Sequence, residues 1–139
     1  MYDVFRFLAR APLVSISATA IDPGASAAYV RTDNFCATLR YGDGTLANLV
    51  YTALGPKQGM GKERIEVFCG GEAYVIDDFR ALTRSGETLW ESAEVDKGHA
   101  EELRRFGDAI ATGADAPIPL SEMLETSAVA LHVEDLLRS

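Results

Sequence analysis

The sequence holds two cysteines, two histidines and one tryptophan in 139 residues. Neither Cys36 nor Cys69 belongs to a CxxC pair, and no histidine stands at zinc-ligand spacing from either. A disulfide scaffold and a structural zinc site are therefore excluded as organising features, and both cysteines read as reduced, mostly buried thiols inside strand-like runs. No apolar run approaches the roughly 18–20 residues a membrane-spanning helix needs, and no basic-then-apolar leader opens the chain. Basic residues are also short: 13 against 21 acidic ones, for a net charge of −8. That surface repels phosphate backbones, and no Lys/Arg stripe with interleaved aromatics offsets it, so nucleic acid is excluded as a partner. The expectation is a cytoplasmic protein without a membrane or nucleic-acid partner.

What is present suffices for a core, since 47% of the residues are hydrophobic. The length fits a single domain. "MYDVFRFLAR" places Met1, Val4, Phe5 and Leu8 on one helical face with nothing before it to cap the helix, which reads as the end of something longer. "PLVSISATAI" alternates as a strand, and the small, turn-rich 22–33 reads as a loop. Three hairpin signals follow: Gly42-Asp43-Gly44, Gly70-Gly71 and Ser85-Gly86, each between strand-like runs. Two helices close the chain. One is capped by Asp96 with Leu103, Phe106 and Ile110 inward, and the other is capped by Ser121 with Leu124, Ala128 and Leu131 inward.

Strands first and helices last give an α+β fold: a largely antiparallel open sheet of about six or more strands with helices on one face. In 45–53 both strand faces look apolar, so the second sheet face is expected to be covered by another copy of the chain.

The chemistry-bearing motifs are few. "GDGTLA" satisfies G-x-G-x-x-A, but "NLVYTA" after it has strand period where a phosphate site needs a helix N-terminus, so it reads as a turn. Asp77-Asp78 are adjacent on a strand and point to opposite faces, so they cannot share one substrate atom or cation; one of them should face Lys62 or Arg64 across the hairpin. A hydrolase or metal enzyme built on Asp77, Asp78 and His99 is a remote third reading. His99 opens a helix, His132 sits mid-helix as a partly buried structural residue, and Lys57 lies in the glycine-rich loop "LGPKQGMG".

The stretches "DNFCATLRYGDGTLANLVYTALG", "KERIEVFCGGEAYVIDDFRAL", "DKGHAEELRRFGDAIATG" and "IPLSEMLETSAVALHVEDLL" together resemble the C-terminal domain of the Gfo/Idh/MocA oxidoreductases. That resemblance implies 1–10 as the end of an interdomain helix and 11–139 as a single α+β substrate and oligomerisation domain. It implies NAD or NADP bound by an N-terminal Rossmann domain that this chain lacks, with no cofactor held by the chain itself. The activity implied is oxidoreduction of a sugar, sugar nucleotide or polyol, by a homodimer or higher oligomer, with the fragment alone inactive. "MYD" matches the family's His-x-x-Asp at Asp3, the histidine falling before Met1. Asp3, Lys57, Lys62 and His99 are the candidate substrate contacts, and no catalytic, cofactor or metal residue is assigned. The alternative is a non-catalytic dimerisation or ligand-binding module sharing the fold.

Overall fold

A computed structural model describes residues 1–22 and 29–138, so 23–28 of the turn-rich 22–33 loop lie outside the described residues. The elements run α1 (Tyr2–Ala9), β1 (Leu13–Ala20), a 3₁₀ turn (Arg31–Asp33), β2 (Asn34–Tyr41), β3 (Leu46–Thr52), β4 (Arg64–Cys69), β5 (Glu72–Asp77), β6 (Ala81–Arg84), β7 (Glu87–Glu91), α2 (His99–Thr112) and α3 (Leu120–Arg138). The fold is α+β, as expected. The strands form two antiparallel sheets, ordered β1-β2-β3 and β4-β5-β6-β7. The break falls between β3 and β4, where Gly55, Pro56, Gly59 and Gly61 interrupt the strand pattern. The chain divides into two compact units, one made of 1–55 with 115–139 and the other of 56–114.

In the first unit β2 is the central strand, and its alternation decides the core. Ala37, Leu39 and Tyr41 face inward and are buried, while Cys36, Thr38 and Arg40 face out. Val129, Val133 and Leu137 of α3 pack on that inward row with Ala9 and Ala11, and Ile16, Ala47 and Leu49 extend the cluster across the neighbouring strands. α1 contributes Tyr2, Phe5 and Ala9 to this cluster, whereas Met1 and Leu8 of the expected face are exposed. The α3 stripe is likewise corrected: Leu124 and Leu131 are exposed. The helix carries apolar residues all round, and the side turned to the core also carries an ion pair to α1. Arg6 Nε donates to Glu125 at 2.8 Å, and Glu122 lies 3.8 Å from the same guanidinium. Residues 129, 133 and 137 follow Glu125 at helical spacing, so they face inward while Leu124 is turned roughly 100° away. Ser121 is not the cap; the first turn closes on the Pro119 carbonyl, which accepts from the Glu122 and Met123 amides.

In the second unit the hairpins fall where the glycines put them. Gly70 and Gly71 both have positive φ, as a two-residue type I′ turn requires, and Ser85-Gly86 do the same between β6 and β7. Ile65, Ile76, Leu82 and Trp90 are register partners and form one apolar row across all four strands. α2 is capped differently from expectation. Gly98 is its N-cap, in the left-handed region, and Asp96 Oδ1 accepts from the Gly98 amide at 2.8 Å instead of capping the helix. Leu103, Phe106 and Ile110 are exposed at 71%, 51% and 68%, and Ala109 is the buried residue of α2. Both cysteines are free and exposed, against the expectation of burial, because Cys36 lies on the outward face of β2 and Cys69 borders the Gly70-Gly71 turn.

Candidate functional site

The G-x-G-x-x-A match resolves into a turn. Asp43 Oδ1 accepts from the Thr45 amide at 2.9 Å and its Oδ2 accepts from the Thr45 hydroxyl at 2.8 Å, which holds the Asp43 carboxyl below its usual range. The Gly42 amide donates to the Pro12 carbonyl, and β3 follows at once. No helix N-terminus stands behind these glycines, so nothing there could seat a pyrophosphate.

A group of charged residues in the second unit gathers at one end of its sheet, where β5 turns into β6. Arg64 is the register partner of Asp77, with Arg64 Nη1 4.0 Å from Asp77 Oδ2, and Arg64 also binds Glu66 at 2.8 Å. The Asp78 amide donates to the Glu63 carbonyl at 2.7 Å, and Asp78 Oδ1 accepts from the Lys62 amide at 2.9 Å. Asp77 and Asp78 are thus committed to different neighbours, which keeps them from acting as a carboxylate pair. Gly61 is small for a reason: a Cβ there would meet Asp78 Cβ at 3.2 Å and Asp77 Oδ1 at 3.3 Å. Beside this turn Lys97 Nζ lies 2.5 Å from Glu63 Oε2 and 5.6 Å from the centre of the Phe79 ring. Phe79 and Lys97 carried no signal in the sequence, because an aromatic in a left-handed turn and a lysine placed over it have no motif.

Of the four candidate contacts, Lys57, Lys62 and His99 all lie in the second unit and are exposed. Lys57 sits in the irregular, exposed 54–62 segment. Lys62 ends that segment, its amide tied to Asp78 and its ammonium without an ion-pair partner among the described residues. His99 is the first residue of α2, two positions from Lys97. Asp3 belongs to the first unit and pairs with the Met1 ammonium at 2.9 Å. Burial raises the Asp3 carboxyl, but the hydrogen bond and charge of that ammonium outweigh it and leave the net shift downward. His132 is exposed on α3 and not partly buried. Further along α2, hydrogen bonds from Arg104 and Arg105 pull the exposed Glu101 carboxyl down to about 2. A shallow depression of about 410 Å³ at the Gly70-Gly71 turn is lined by Phe68, Cys69, Glu72, Ala73 and Ser85, and by none of the four candidates. No three His, Cys, Asp or Glu side chains converge among the described residues.

No family model matches the sequence, and no curated protein matches it by sequence. Solved structures do match its fold. UDP-N-acetylglucosamine 3-dehydrogenase GnnA from Acidithiobacillus ferrooxidans superposes with a TM-score of 0.77 at 20% identity, covering 97% of this chain and 43% of that one. The aldose-aldose oxidoreductase from Caulobacter crescentus, complexed with glycerol, gives 0.73 at 16% identity, covering 98% and 42%. The WlbA dehydrogenase from Bordetella pertussis, in complex with NADH and UDP-GlcNAcA, gives 0.61 at 18%, covering 99% and 41%. The chain spans less than half the length of each. It has the fold of one part of these oxidoreductases, and the resemblance to Gfo/Idh/MocA enzymes seen in its sequence holds at the level of the fold.

Proposed function

We propose that this chain is the C-terminal, substrate-side and oligomerisation part of an NAD(P)-dependent Gfo/Idh/MocA oxidoreductase acting on a sugar, sugar nucleotide or polyol. The observation that carries the reading is the lopsided coverage: nearly all of this chain lies on well under half of each oxidoreductase. The exposed Leu103, Phe106 and Ile110 stripe of α2 supports it, because a stripe of that kind is what a covering domain buries. A second domain would bind the nicotinamide and bring the hydride chemistry, while this part orients the substrate and keeps water away. Asp3, Lys57, Lys62 and His99 are the contacts we assign to the substrate. Lys57 and Lys62 offer exposed ammonium donors suited to hydroxyls or to the anionic diphosphate of a sugar nucleotide.

The deciding experiment reads the transcript upstream of the Met1 codon. An in-frame strand, G-x-G-x-x-G and helix are expected, with NAD(P)-linked turnover in the whole product and none in the 139-residue chain. A stop codon directly upstream overturns the reading and leaves the non-catalytic module in its place.

Self-association is the second part of the proposal. The outward face of the first sheet carries Val14, Leu46 and Val50 among Thr38, Arg40 and Asn48, with Val50 71% exposed. Thr38 Oγ1 donates to Asn48 Oδ1 within that face, and Val14, Leu46 and Val50 beside this pair await cover. Sedimentation equilibrium is expected to give a dimer or higher oligomer at micromolar concentration, and Val50→Asp a monomer. A wild-type monomer at high micromolar concentration would count against this face as the interface.

A further inference from the structure

The turn between β5 and β6 breaks the rule its neighbours obey. Type I′ two-residue turns need positive φ at both central residues and draw on Gly and Asn, as Gly70-Gly71 shows. Residues 77–80 read Asp-Asp-Phe-Arg, and yet Asp78 and Phe79 sit at φ 48° and 52°, with the Arg80 amide donating to the Asp77 carbonyl at 2.9 Å. A phenylalanine held left-handed persists only where its surroundings over-determine it.

Those surroundings come from three segments. In this turn Asp78 presents its amide to the Glu63 carbonyl and its carboxylate to the Lys62 amide, which fixes the exit of the 54–62 segment. The Phe79 carbonyl accepts from the Asp96 amide at 3.3 Å, and the Arg80 carbonyl accepts from the Ser92 amide at 2.7 Å, which fixes the approach to α2. The Phe79 ring lies beneath the Lys97 ammonium, and Lys97 closes back on Glu63. A cation held over an aromatic face and a carboxylate together restrains more than either contact alone.

We infer that the 77–80 turn is a positioning latch: through the Asp78 carboxylate and the Phe79 ring it holds the Lys62 backbone and the segment entering α2 at His99 in one fixed arrangement. The latch deepens the assignment of Lys62 and His99 as substrate contacts and rests on that assignment for its purpose, though not for its mechanics. Phe79 and Asp78 are positioning residues that act through Lys97 and Lys62. Their strain is kept because glycine at 79 would lose the ring.

Amide hydrogen exchange of the 139-residue chain, measured with no ligand present, tests the latch independently of what the site binds. In Phe79→Ala and Phe79→Gly the Lys62, Asp96 and Gly98 amides are expected to exchange about fivefold faster, while the β4–β5 ladder is unchanged. Phe79→Tyr, which keeps the ring, is expected to restore wild-type exchange. Asp78→Ala is expected to free the Lys62 amide alone, and it keeps the test open if the Phe79 variants fail to fold. Unchanged exchange at all three amides would overturn the inference. So would uniform acceleration across β4 to β7, or slower exchange in Phe79→Gly than in wild type, since that would make backbone strain the turn's only consequence.

Discussion

Leu39→Ala is expected to lower the unfolding free energy of the first unit by about 3–5 kcal/mol and its melting temperature by roughly 10 °C or more. Leu39 has no solvent exposure. Its register partners are Ile16 on β1 and Ala47 on β3, and the buried residues of α3 complete the cluster around it. The cost of a truncation depends on whether neighbours can move into the space. Here they cannot easily do so. Ala37 and Ala47 are too short to reach it, and Val129 and Val133 are β-branched, stiff side chains on a helix tied to α1 through Arg6 and Glu125. The cavity therefore stays open, which places the loss toward the upper end of the range for leucine. Val50→Ala on the opposite face is the control, expected to fall within about 0.5 kcal/mol in the monomer. Urea unfolding followed by far-UV circular dichroism measures both. Trp90 is the chain's one tryptophan and lies in the second unit, so its fluorescence reports that unit separately. A loss below about 1 kcal/mol for Leu39→Ala would mean that the core lies elsewhere.

The hairpins were legible because glycine is nearly the only residue that adopts their backbone cheaply. Gly44, Gly70, Gly71 and Gly86 all take positive φ at the turns their spacing predicts. The β5–β6 turn could not be marked in the same way, since Asp78 and Phe79 reach the same conformation through tertiary contacts that no local pattern encodes. The helices were legible as helices and illegible in their facing. α3 has apolar residues on every side, so periodicity offers more than one stripe, and packing against distant strands decides which is buried. α2 has a clear stripe of Leu103, Phe106 and Ile110, but amphipathicity names the face that seeks cover and not where the cover comes from. Cys36 shows the limit for strands: alternation separated its two sides correctly, while the identity of the outer side depends on which face α3 occupies. For the candidate site, sequence pointed to residue types that could meet a sugar. The network of Glu63, Phe79 and Lys97 around Lys62 depends on side chains 16 to 34 positions apart, beyond the reach of any spacing rule.

Asn34 is the buried polar residue of the first unit, and its replacement should separate two physical effects. Its side chain is fully buried, and Oδ1 accepts from the Thr52 hydroxyl at 2.8 Å and from the Ala53 amide at 2.9 Å. Thr52 Oγ1 in turn accepts from the Leu54 amide, so Asn34 fixes how the chain leaves β3. Asn34→Ala strands an amide and a hydroxyl without their acceptor and is expected to cost about 2–4 kcal/mol. Asn34→Asp keeps the acceptor oxygen but introduces an ionisable group at a fully buried position. Desolvation raises the folded-state pKa of such a carboxyl above its unfolded value of about 3.9, so the unfolded state ionises first as pH rises. The variant is therefore expected to approach wild-type stability near pH 4 and to lose about 2–4 kcal/mol by pH 7, most of it above the unfolded pKa. Wild-type Nδ2 has no hydrogen-bond partner among the described residues, so the second oxygen of the protonated aspartic acid forfeits none of their hydrogen bonds by occupying its place. Urea melts of both variants from pH 4 to pH 8 give the answer. A deficit in Asn34→Asp that does not change with pH would mean that the site admits water, and that the grip on the exit of β3 is looser than its geometry implies.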